Sequence, residues 1–156
     1  MKLNLKKSND NIVILAIGNE MLADDSAGIF VAEILLKKLA HKKNIKIFKT
    51  GVMPESFFSK ISAFKPSLII FIDACSFGGK IGEIRHIPMD KIDGAGFSTH
   101  SLPITTFVKY LTNQIPNIEV QFIGIEPKSI EFDKPMTTEI KKSCQDLAGY
   151  LIEKLS

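Results

Sequence analysis

The stretch Ser67-Leu68-Ile69-Ile70-Phe71-Ile72-Asp73 sets five consecutive large apolar residues between a serine and a carboxylate. A run that short and uninterrupted reads as a strand buried on both faces, the habit of parallel sheets. A strand wet on one face would alternate instead. Asn11 to Gly18 repeats the pattern, and Ile118 to Ile125 supplies the last core strand. Such strands need helices over both faces, and the intervals provide them. Gly28, Val31, Ala32, Leu35 and Leu39 recur at helical spacing, while Pro54 opens a helix carrying Phe57, Phe58, Ile61 and Phe64. Ser98 and Thr99 are the expected caps of a third helix with Ile104, Phe107, Val108 and Leu111, and Ile140, Cys144, Leu147, Leu151 and Leu155 mark a long C-terminal one. Ile45 to Lys49 reads as a short strand, and Ile81 to Ile87, partly alternating, as a more exposed one. The order predicts an α/β fold, a three-layer sandwich with a mostly parallel twisted central sheet flanked by helices.

Composition fits that reading. The 156 residues suffice for one domain, 1–156, with residues 1–10 a lysine-rich leader. Hydrophobic residues at 45% and charged residues at 24% exclude disorder as the main state. The formal charge of +3 is small, and Arg85 is the single arginine, so the guanidinium forks that usually read phosphates and bases are missing. No nucleic-acid partner is expected. Cys75 and Cys144 are too few for a disulfide scaffold or a four-cysteine zinc site, and a cytoplasmic location is expected. The longest clean apolar run, Ile12 to Ile17, is too short to cross a bilayer, so no membrane insertion is expected.

Candidate chemistry gathers where α/β proteins keep their sites, beyond the carboxyl ends of strands. Asp24 and Asp25 follow the first strand, Asp73 closes the Ile69–Ile72 run, and His100 opens a later helix. Two carboxylates and an imidazole converging there would make a cation site. Either member of the Asp24–Asp25 pair can cap the following helix, which leaves the other acid surplus. A charge after four buried apolar residues, as at Asp73, needs water, a donor or a metal beside it. His41 and His86 read as surface histidines, and Cys75 lacks the spacing of a cysteine nucleophile. Gly18-Asn19-Glu20-Met21 supplies neither a dinucleotide glycine pattern nor a phosphate loop, and no G-x-S-x-G elbow occurs.

Taken in order, Ile17-Gly18-Asn19 with Leu22, Asp24, Asp25 and Gly28, then Ile72-Asp73-Ala74, then Ser98-Thr99-His100-Ser101-Leu102-Pro103, then Ile123-Gly124-Ile125-Glu126-Pro127, make a pattern spread over most of the chain. It resembles the endopeptidases that mature nickel-iron hydrogenases by trimming a C-terminal extension from the large subunit. The resemblance implies that Asp25, Asp73 and His100 are both the catalytic and the metal-contacting residues, with Asp24 left to capping. It implies a nickel-iron hydrogenase large-subunit precursor as partner, and nickel brought by that substrate as the metal, with zinc or cadmium as surrogates. Cleavage would use a carboxylate as general base toward water or polarisation of the scissile carbonyl by the metal. Lys49-Thr50-Gly51 departs from the Asp-Gly-Gly of several relatives, ahead of a retained Pro54-Glu55. That lysine supports a different expectation, a non-catalytic nickel-dependent docking or sensing factor.

Overall fold

A computed structural model describes residues 10–92, the backbone of 96–97 and residues 103–156. The elements are β1 (Ile12–Ile17), α1 (Ala27–Leu39), β2 (Ile45–Gly51), α2 (Phe58–Phe64), β3 (Leu68–Ser76), β4 (Ile84–His86), β5 (Gly96–Phe97), α3 (Ile104–Gln114), β6 (Glu119–Ile125) and α4 (Thr138–Leu155). The sheet runs β2-β1-β3-β6-β4, with β5 paired to the end of β3. The β1–β2, β1–β3 and β3–β6 pairs are parallel, while β4 against β6 and β5 against β3 are antiparallel. This is the α/β sandwich that the buried apolar runs demand.

Alternation along the central strands divides the core in two. Ile12, Ile14, Ile70 and Ile72 face one way, under Val31 and Leu35 of α1 and Leu147 and Leu151 of α4. Val13, Leu15, Ile69 and Phe71 face the other, under Ile61 of α2 and Phe107 and Leu111 of α3. There Phe71 stacks on Phe122 with ring centroids 4.7 Å apart. Among the described residues, no helix is long and apolar enough to cross a membrane.

Three local expectations need correction. The strand expected to stop at Asp73 continues through Ala74, Cys75 and Ser76, because Ile125 pairs with Ala74 and β5 pairs with Cys75 and Ser76. Asp73 is nonetheless the first β3 residue past the end of the β1 ladder, whose last pair is Ala16 with Ile72. The strand expected over Ile81 to Ile87 shrinks to Ile84–His86, since Gly82 at φ +79° and a Glu83 N–H bond to the Lys80 carbonyl (2.8 Å) make a turn of its first half. Helix α3 begins at Ile104 with Pro103, not Ser98 or Thr99, at its N-cap position. Pro54 opens a 3-10 turn, Pro54–Phe57, that leads into α2.

The connection from β1 runs through α1 out to β2, while the chain returns through α2 to β3 on the opposite side of β1. The crevice between the carboxyl ends of β1 and β3 is therefore the topological switch point. Gly28, in the first turn of α1, closes that crevice from one side. A Cβ there would lie 2.4 Å from both the Ile17 and the Ile72 carbonyl oxygens, so no larger residue fits without moving backbone. Gly28→Ala should cost about 1–3 kcal/mol in urea unfolding. Gly149→Ala, inside α4 with open space around the added methyl, should instead gain up to about 1 kcal/mol in the same titration.

Candidate active site

The tight turn after β1 sets the position of Asp25. Gly18 has φ +153°, and a Cβ on it would fall 2.2 Å from the Asp25 carbonyl oxygen, so only glycine lets the chain fold back this closely. Asp25 sits in the 3-10 turn Ala23–Ser26 that feeds α1 and is buried. Its Oδ2 accepts the Asn19 backbone N–H at 2.9 Å. Its Oδ1, also buried, has no hydrogen-bond partner among the described residues. A buried carboxylate oxygen in that state is costly unless something else satisfies it.

Asp73 is fully buried on β3, which touches the Asp25 turn. It shares the strand parity of Phe71 and Cys75, toward the α2–α3 layer. The two acids thus flank the switch point, Asp25 in the turn after β1 and Asp73 on β3 just past the end of the β1 ladder. His100 lies outside the described residues. Among the described residues, no three His, Cys, Asp or Glu side chains group closely enough to hold a metal ion, so the two aspartates are not a complete set by themselves. A cavity of about 750 Å³ opens beyond Ser76, beside Phe77 and Arg85, and neither aspartate lines it.

Asp24 does something other than the capping expected of it. The cap of α1 carries no side-chain hydrogen bond. Instead the fully buried Asp24 carboxylate reaches across the fold to the segment before α4. Its Oδ2 accepts the N–H groups of Lys128 and Ser129, both at 2.9 Å, and its Oδ1 accepts the Thr137 N–H at 2.7 Å and the Thr137 hydroxyl at 2.9 Å. Thr137 is the N-cap residue of α4, so the acid also faces the positive end of that helix dipole. The only local sign of this arrangement is a threonine ahead of a helix. The acid that serves it lies more than a hundred positions away, beyond the reach of local reading.

Glu126 likewise has a role that no local pattern in the sequence shows. Its Oε2 accepts the N–H groups of Phe77 (2.8 Å) and Gly79 (3.2 Å), tying down the turn that follows β3. Cys75, buried next to this acid, is no nucleophile: burial, reinforced by the charges of Asp73 and Glu126, pushes its thiol up to about 12. At neutral pH the thiol keeps its proton, and a protonated thiol is a poor attacker.

The sequence profile of the hydrogenase maturation protease family matches residues 29–154. The chain belongs to the hydrogenase maturation protease family. It is 36% identical over 159 residues to a putative hydrogenase maturation protease of Methanocaldococcus jannaschii, covering 98% of this chain and 93% of that protein. It is 34% identical over 134 residues to the hydrogenase 3 maturation protease of Escherichia coli K12, covering 85% of this chain and 83% of the relative. The crystal structure of the [NiFe] hydrogenase maturation protease HycI of Thermococcus kodakarensis superposes with a TM-score of 0.84 at 38% identity, over 94% of this chain and 92% of that one. The family is one of peptidases, and the hydrogenase maturation protease fold is the sandwich described above. Lys49 is an exposed β2 residue whose Nζ pairs with Glu33 of α1 at 3.2 Å.

Two measurements check this geometry. Asp24→Ala strands several buried donors and should lower unfolding stability by about 3 kcal/mol, whereas Thr137→Val, which removes one of them, should cost about 1 kcal/mol. Iodoacetamide at pH 7.5 should leave Cys75 unmodified in the native protein by mass spectrometry and modify it once urea unfolds the chain.

Proposed function

We propose that this hydrogenase maturation protease removes the C-terminal extension of a nickel-iron hydrogenase large-subunit precursor after nickel insertion, and that Asp25, Asp73 and His100 contact the nickel the precursor carries. The observation that supports this most is the buried, unsatisfied Oδ1 of Asp25 at the β1–β3 switch point, beside the strand that holds Asp73. A carboxylate there suits a divalent cation, and carboxylate with imidazole donors accommodates nickel, zinc or cadmium alike. The donor chemistry therefore fits a metal delivered by the substrate. Bound in the precursor, nickel supplies a charge that can anchor the tail and polarise a carbonyl.

The chain's own part is positional and protonic. The Asn19 N–H fixes one Asp25 oxygen, and the other, without a hydrogen-bond partner among the described residues, is the one that would meet the substrate's metal. A carboxylate at this rim can accept the proton of an attacking water, a role open to either aspartate. Cleavage through a cysteine acyl intermediate is disfavoured by the protonated, buried Cys75. The nickel-dependent docking or sensing factor, which Lys49 keeps as the rival reading, would bind the same precursor and leave it intact.

Incubation of the purified protein with nickel-loaded precursor should yield, by mass spectrometry, a large subunit shortened at its C-terminus, and nickel-free precursor should stay whole. Asp25→Asn, Asp73→Asn and His100→Ala should each slow cleavage by about a hundredfold or more. A stable complex of uncut precursor with the wild-type protein would instead establish the sensor.

A further inference from the structure

Two segments next to the site expose large apolar side chains although their backbones are firmly held. Met21 is 56% exposed, Ile130 58% and Phe132 66%. The segments run side by side: Leu22 pairs in parallel with Lys134, and the Asp133 N–H donates to the Met21 carbonyl at 2.8 Å. Both are fastened to the acid pair. Met21 donates its N–H to Asn19 Oδ1 at 2.9 Å, and Asn19 in turn donates its own to Asp25 Oδ2. On the other side Asp24 holds the N–H groups of Lys128 and Ser129 just ahead of Ile130, and donates its own N–H to the Ser129 carbonyl at 3.0 Å.

A phenylalanine and an isoleucine left largely in water on an anchored loop bring little to the fold, whereas a partner that covers them gains the burial of their exposed surface. Exposed carboxylates of Glu20, Glu131 and Asp133 flank the patch, against the single Lys134. Lys128 nearby is engaged by Glu139. We infer that Met21, Ile130 and Phe132 form a docking lip for the protein substrate, taking an apolar segment of the precursor bordered by lysine or arginine. This rests on the reading of the substrate as a hydrogenase precursor. Asp24 is then a positioning residue that mounts the lip at a fixed place beside Asp25. Such apolar side chains at the centre of an interface carry most of its energy, while flanking charges chiefly add salt sensitivity.

The test measures binding and cutting in the same samples. Calorimetric titration with nickel-loaded precursor should show the dissociation constant of the Ile130→Ser/Phe132→Ser variant raised by about tenfold or more, with Met21→Ser raised less and Phe132→Leu near wild type. Melting temperatures close to wild type confirm that the surface changes leave the fold alone. Wild-type affinity in the double variant and in Met21→Ser overturns the lip. If the wild type binds but mass spectrometry finds no shortened product, the proteolytic reading fails while the binding arm still decides the lip. Absence of any wild-type binding overturns the lip, and the product analysis then judges cleavage separately.

Discussion

The Ile17 and Ile72 carbonyls, where the parallel β1–β3 ladder stops, leave just enough room for a helix to begin above them if its first turn carries no side chain. Gly28 supplies that turn. The close approach makes α1 depart from β1 at one fixed place and so holds the Asp24–Asp25 turn against β3. Parallel sheets open a crevice wherever neighbouring strands send their connections opposite ways. Here the crevice is walled by the helix start, and the two buried acids stand on either side of it.

The acid pair divides its labour. Asp24 turns inward and is saturated by donors from the segment leading into α4, which explains how a bare carboxylate is tolerated at zero exposure. Asp25 is half satisfied, by one backbone N–H. Two adjacent carboxylates would repel in a common environment, so the fold separates them, one a structural clamp and the other left with one oxygen unsatisfied among the described residues. The same clamp fastens the segment that exposes Ile130 and Phe132, which ties that apolar patch to the packing of α1 against α4.

Much of this was legible in the sequence. Buried strands announced themselves as unbroken aliphatic runs, and the helix faces as 3.6-residue repeats, because both patterns are set locally by which side chains meet the core. The position of Asp73 after Ile69–Ile72 and of Asp24–Asp25 after β1 already placed acids beside the β1–β3 switch point of an α/β sheet. Less was visible wherever a distant partner decides the outcome. β3 runs past Asp73 because β5 and β6 offer it hydrogen bonds, and the Ile81–Ile87 segment loses its first half to a turn at Gly82. The choice of Asp25 over Asp24 came from the family pattern, and the donors that separate the two lie over a hundred residues downstream. His100, named from that same pattern, lies outside the described residues.

The convergence of acids on the switch point is tested most directly by titrating the isolated protein with cadmium and reading the heat of binding. One equivalent should bind to the wild type, with affinity lost in Asp25→Asn and in Asp73→Asn and retained in Glu33→Gln, an acid on the exposed flank of α1. Equal binding by all four proteins, or binding by none, would contradict a shared cation site at the ends of β1 and β3.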